Sequence, residues 1–264
     1  MKPYVAASSY LNAAPLCYSF IHGSQKQLCE FLSDEAPFRC AELLAEKRAD
    51  AGLIPVIEYQ RVPGLRVAPG ACVASKSKVH SVLLVSRLPI EEVRSVALDT
   101  SSRTSAALIQ IIFQTFYNRR PHYTPFAPRI QDMLETNDAA LIIGDPAMMI
   151  DRSGLHVYDL AEEWRKQTGL PFVFAFWAVR NDSISWPGGI DFELAMREGL
   201  ENVELIAANY ASRMGLPRED LITYLTENIS YDLDEECLRG LKLYFEMASE
   251  HRLIDRAKEI IFCA

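Results

Sequence analysis

Short apolar runs alternate with stretches of helical spacing along this chain, and that rhythm constrains the fold more than any other feature. The apolar runs Tyr4–Ser8, Ala51–Ile54, Val79–Ser86, Val96–Leu98, Ala139–Ile143 and Val173–Val179 read as strands. Between them, Asn12 to about His22, Arg39–Lys47 and a stretch that follows Asp99–Ser105 and runs to about Tyr117 read as helices, and Pro55 opens another. After Trp186-Pro187-Gly188-Gly189 the texture becomes helical throughout, over 192–213, 217–225 and 233–251. Strand–helix alternation followed by a helical layer predicts an α/β architecture. No internal repeat interrupts it, and no apolar run approaches the roughly 18 residues of a membrane span.

Two breaks in the pattern, at Arg87-Leu88-Pro89 and at Pro171–Phe174, predict two lobes joined by two crossings. One lobe takes residues 1–86 plus 175–264, with the C-terminal helical layer, and the other takes 87–174. Each lobe is expected to be a mixed sheet flanked by helices, with a ligand cleft between them.

The charge narrows what can enter such a cleft. A net charge of −8 argues against broad contact with nucleic acid or an anionic membrane. A small anion needs only local donors, so it stays admissible. The six cysteines show no CxxC spacing and the five histidines are scattered, so neither a metal site nor a disulfide framework is expected. Reduced thiols and no apolar leader at the start of the sequence predict a cytoplasmic protein. The sequence leaves the oligomeric state open.

Ligands of open α/β sheets bind where strands end and helices begin, and four segments qualify. In Ser8-Ser9-Tyr10-Leu11-Asn12, polar side chains meet free N–H groups, which suits an anion; alternatively Asn12 only caps the helix. In Asp99–Ser105, Thr104 and Ser105 offer donors and Arg103 could fork onto a carboxylate; alternatively the segment is a hydroxyl-rich cap on a solvated turn. In Ile143–Ala147, Gly144 permits close backbone approach to a ligand, while Asp145 is either a ligand contact or a cap ahead of Pro146. In Val79–Val82, Ser81 could face the cleft or be satisfied within the fold, and strand alternation would turn His80 to the opposite face. The chain has no GxSxG, HExxH or GxGxxG after a strand, and no paired carboxylates in an obvious motif.

Taken in order, several segments resemble the chorismate dehydratases of the futalosine route to menaquinone. They are Ser9-Tyr10-Leu11-Asn12-Ala13-Ala14-Pro15-Leu16, Asp50–Tyr59, Val79-His80-Ser81-Val82-Leu83-Leu84, Ala97–Ser105, Asp138–Asp145, Tyr158-Asp159-Leu160, and Trp164 with Thr168–Trp177. Residues 181–264 resemble the family only in being helical. Lys76-Ser77-Lys78 departs from it, because a glycine is expected just before the Val79 strand.

The resemblance implies a type II periplasmic-binding-protein fold used as an enzyme, acting on chorismate without a cofactor. It implies that Asn12 is catalytic and that Ser9, Tyr10, Ser81, Arg103, Thr104, Ser105, Gly144 and Asp145 contact the substrate. Asn12 cannot serve as a general base, so its expected role is hydrogen bonding. The competing readings are a cytoplasmic solute-binding or sensor protein for a small aromatic or cyclic carboxylate, and a sister enzyme of the same pathway. The sister enzyme would carry a Pro-Cys-Pro-Asn-like motif where Ser9-Tyr10-Leu11-Asn12 stands.

Overall fold

A computed structural model describes residues 2–34, 36–183 and 189–263. The break at Trp186-Pro187-Gly188 lies outside the described residues. The strands are β1 (Tyr4–Ser8), β2 (Glu30–Asp34), β3 (Ala51–Pro55), β4 (Leu65–Ser75), β5 (Val82–Ser86), β6 (Ser95–Asp99), β7 (His122–Phe126), β8 (Ala139–Ile143), β9 (His156–Asp159), β10 (Phe172–Arg180) and β11 (Ser230–Asp232).

They form two mixed sheets, in the orders β11-β4-β10-β3-β1-β2 and β7-β6-β8-β5-β9. In the first, β1 runs parallel to β2 and β3, while β10 runs antiparallel to β3 and β4. In the second, β6 is parallel to β7 and β8, and β5 is antiparallel to β8 and β9.

Sheet membership moves the expected lobe boundaries. Val82–Ser86, placed by sequence in the first lobe, pairs with β8 and β9 of the second sheet. The first crossing therefore lies at 76–81, not at Arg87-Leu88-Pro89. The second lies just before Phe172, so Phe172–Phe174 belong to the first sheet rather than the second lobe. An all-apolar run announces a strand buried on both faces, but not which sheet it joins.

The first crossing has its own fastening. Asp159 accepts the backbone N–H groups of Val79 (3.2 Å) and His80 (2.6 Å), while capping the helix Leu160–Thr168. His80 stands in the left-handed region at φ +60°. Strand pairing starts only at Val82, so the expected alternation of His80 and Ser81 along a strand does not hold.

One large core runs through both sheets, and a smaller one around Leu83, Val85, Met133 and Ile142 covers a face of the second. The C-terminal layer docks on the first sheet: Trp177 of β10 stacks on Phe192 at 4.7 Å and meets Phe20 edge-on at 5.7 Å. Helices Ala14–Ile21 and Phe192–Glu201 approach backbone to backbone, since a Cβ at Gly199 would sit 1.8 Å from the Pro15 carbonyl oxygen. This packing anchors the helix that carries the β1 end of the cleft.

Candidate active site

β1 ends at Ser8, and the chain turns through a single 3₁₀ turn, Leu11–Ala13, before helix Ala14–Ile21 begins. Asn12 sits inside that turn. No side chain caps either the turn or the helix, so the capping role open to Asn12 is not the one it takes.

Opposite this turn, Ser102 caps helix Arg103–Ile111, its Oγ accepting the Ser105 N–H at 3.2 Å. Asp99 shapes the loop before it. One carboxylate oxygen takes the Ser101 N–H (2.8 Å) and hydroxyl, and the other takes the Ile143 N–H (3.2 Å). Burial raises the pKa of Asp99 above the ordinary carboxylate range, against the opposing pull of those bonds.

Between the two elements lies a cleft bounded by both sheets. Its polar lining is Ser8, Asn12, Ser102 and Ser105, and its apolar walls include Leu53, Pro55, Val73, Val82 and Phe174. The enclosed volume is about 50 Å³, far below the roughly 300–1,000 Å³ of a pocket for a drug-sized ligand.

Tyr10 lines the cleft too, its ring lying against Gly144. Gly144 has φ +66°, and a Cβ there would come within 2.7 Å of the Tyr10 ring. Sequence assigned the close approach at Gly144 to a ligand; the group that approaches is Tyr10.

Asp145 neither caps its own helix nor lines the cleft, because it reaches across to the Leu11 N–H at 2.9 Å. Burial lifts its pKa to about 6, partly offset by the Leu11 bond and the Arg213 charge.

Other expected contacts are engaged within the fold. The Arg103 guanidinium forks onto Glu58 (2.9 Å) and Glu42 (3.2 Å) and lies over the Phe38 ring, so the protein's own carboxylates hold it. The Thr104 hydroxyl accepts the Ile57 N–H at 3.3 Å, and its carbonyl accepts the Tyr244 hydroxyl at 3.0 Å. Ser9 faces an outer groove, its carbonyl accepting the Tyr210 hydroxyl at 2.7 Å. Ser81 is fully buried, its Oγ 2.7 Å from the Tyr224 hydroxyl.

The structure thus brings Tyr10, Asn12, Ser105 and Gly144 to one cleft and leaves Ser9, Ser81, Arg103, Thr104 and Asp145 outside its lining. It adds Ser8 and Ser102, whose signal was their place at a strand end and a helix cap. The outer groove, about 430 Å³, adjoins at Tyr10 and contains Asp145 and Arg213. Among the described lining residues of the cleft, the polar groups are hydroxyls and one amide, suited to orienting a ligand. The N-terminus of helix Arg103–Ile111 adds positive potential for an anion.

The sequence profile of the family described as menaquinone biosynthesis matches residues 3–250. This chain belongs to that family. The match takes in the C-terminal helices, which the resemblance in sequence motifs left aside. A relative named chorismate dehydratase, from Thermus thermophilus, is 30% identical over 93% of this chain and 95% of its own length. Among solved structures, protein AF1704 of Archaeoglobus fulgidus superposes with a TM-score of 0.71 at 22% identity, covering 96% of this chain and 98% of that one. The periplasmic aliphatic sulphonate binding protein SsuA of Escherichia coli gives 0.69 at 17% identity, covering 98% and 90%. At these identities the structures establish the fold, which is that of the periplasmic binding proteins.

Proposed function

We propose that this chain is a chorismate dehydratase, a hydro-lyase that removes water from chorismate to give 3-[(1-carboxyvinyl)oxy]benzoate in menaquinone biosynthesis. The reading is supported by one observation above all: a member of this family places Asn12 beside Ser8, Ser102 and Ser105 in a cleft bounded by both sheets. The relative from Thermus thermophilus supports the choice of substrate. All six cysteines stand as free thiols, and among the described residues no helix is long and apolar enough to cross a membrane. A cytoplasmic setting fits both.

The chemistry asked of the cleft is modest. The C–H bond beside the enol ether breaks, its electrons form the new ring double bond, and the neighbouring hydroxyl leaves as water once protonated. Aromatisation makes the step downhill, so the protein's task is to favour this loss over that of pyruvate. The cleft lining supplies orientation, with Ser102, Ser105 and the helix N-terminus facing a carboxylate. Asn12 hydrogen-bonds the departing hydroxyl or the ring substituent, and the substrate's own enolpyruvyl carboxylate takes the ring proton. Lobe closure excludes water from the elimination.

The test is to incubate the purified protein with chorismate, without added metal or nucleotide, and separate products by chromatography and mass. A product lighter by one water is expected. Unchanged chorismate in the presence of folded protein refutes the enzyme reading. A thermal shift with chorismate but no product would then favour a solute-binding or sensor protein, the alternative that the shared binding-protein fold favours.

A further inference from the structure

The cleft has no charged side chain among its described lining residues, whereas the substrate proposed above is a dianion. A dianion approaching a chain of net charge −8 meets a repulsive field, so its capture calls for a local cation. The outer groove of about 430 Å³, which adjoins the cleft at Tyr10, supplies one. Among its described lining residues Arg213 is the one basic side chain.

Arg213 belongs to the last turn of helix Val203–Met214 in the C-terminal layer. Its guanidinium lies over the Tyr210 ring, 4.8 Å from the ring centroid. The Tyr210 hydroxyl in turn donates to the Ser9 carbonyl at 2.7 Å, in the segment that leads from β1 to Asn12. The cation thus rests on a ring fastened to the rim of the cleft. Arg213 also borders a second groove, about 400 Å³, that reaches the cleft lining at Ser8. It therefore stands at the junction of two grooves, each of which adjoins the cleft.

The fold leaves its donors for a ligand. Among the described residues Arg213 takes part in no ion pair, in contrast to Arg103, which Glu58 and Glu42 hold. Asp145, the carboxylate that shares the outer groove, turns an oxygen to the Leu11 N–H at 2.9 Å. A guanidinium lying over a ring still presents the N–H edge that forks onto a carboxylate.

We propose that Arg213 forms an outer carboxylate subsite at the mouth of the cleft, capturing one carboxylate of the dianionic substrate ahead of the neutral donors inside. This rests on the dehydratase reading. Arg213 does not line the cleft, so it governs capture and not the elimination.

The experiment is steady-state turnover of chorismate by the full chain, wild type beside Arg213→Met, from about 0.01 M to about 1 M salt, which shortens the screening length from about 30 Å to about 3 Å. Arg213→Met keeps an unbranched stem and removes the charge. At low salt kcat/KM is expected to fall about 10–100-fold, carried by KM, with kcat within about twofold of wild type. The gap narrows as salt rises, because screening weakens the attraction that the variant lacks. Arg213→Lys recovers part of the loss, since a point charge attracts without forking. Arg213→Glu falls below Arg213→Met.

A last-turn arginine also favours the helix macrodipole. Were that its whole role, Arg213→Met would lower the melting temperature and leave kcat/KM of the folded chain unchanged. Wild-type kcat/KM in Arg213→Met therefore overturns the proposal, and so does a loss that salt leaves untouched or that falls on kcat. Should Arg213→Met fail to fold, Arg213→Gln removes the charge from a polar side chain and is read by the same outcomes. A wild-type chain that leaves chorismate intact refutes the dehydratase reading and this proposal with it. That outcome is seen before any variant is compared, so the two failures are distinct.

Discussion

Gly144→Ala tests whether the cleft seen here is the working one. Two costs follow from the geometry. The first is local: φ is +66° at this position, and an L-residue held there costs about 1–2 kcal/mol. On a domain of this size that lowers the melting temperature by about 2–8 °C. The second cost crosses the cleft. The new methyl would lie 2.7 Å from Cδ2 and Cε2 of Tyr10 and 3.1 Å from Cγ, where ordinary carbon contacts are about 3.5–4.0 Å. The ring must withdraw by about 1 Å, and it carries Asn12 with it two residues along a tight turn. A shift of that size costs up to about 100-fold in kcat/KM.

The assay is thermal unfolding beside chorismate turnover for Gly144→Ala, alone and in a Tyr10→Ala background. The strain at φ +66° should persist in both backgrounds, whereas the turnover penalty should vanish once the ring is gone. A Gly144→Ala chain that melts early but turns over normally would refute the Tyr10–Gly144 contact as a feature of the active form. An unchanged melting temperature would refute the left-handed geometry itself.

Two further predictions concern the same turn. Asn12→Leu should lower kcat by at least about 100-fold, the scale for losing one preorganised hydrogen-bonding group; steady-state turnover near wild type removes Asn12 from the mechanism. Asp145→Asn keeps an acceptor for the Leu11 N–H and removes an acid whose pKa burial raises from 3.8 to about 6. Because the native state holds that proton more tightly than the unfolded chain, the stabilisation is full below about pH 4 and lost as pH rises through about 6. The variant should therefore gain stability relative to wild type between those values, by about 3 kcal/mol at most. Parallel melting temperatures from pH 4 to 7 would place the Asp145 carboxylate in water.

The fold was legible where burial was complete. β1, β3, β5, β8 and β10 are apolar runs with almost every residue buried, and each shows in the sequence as a strand. β2 and β7 escape it because they lie at sheet edges and alternate exposed with half-buried residues. β4 is an interior strand, yet Pro69-Gly70 stands in its middle, where its pairing with β10 shifts register and Gly70 takes φ +80°. The same divide separates the site residues. A strand end and a helix start are local signals, which is why Tyr10, Asn12, Ser105 and Gly144 could be singled out. What each donor does is decided by remote partners: Glu58 and Glu42 engage Arg103 from 45 and 61 positions away.

Consecutive residues of the turn after β1 each bind something different. The Tyr10 ring packs on Gly144, the Leu11 N–H enters Asp145, and Asn12 lines the cleft. Gly144 and Asp145 open the helix that follows β8, at the second sheet's end of the cleft. A 3₁₀ turn is too short to let one of these contacts shift without the others. Any separation of the two sheets at the cleft would break the Tyr10 and Leu11 contacts, which join the turn after β1 to the start of the helix after β8. Loss of the Asp145–Leu11 bond should loosen the turn that carries Asn12 and raise the KM for chorismate in steady-state turnover, and an unchanged KM would refute that role.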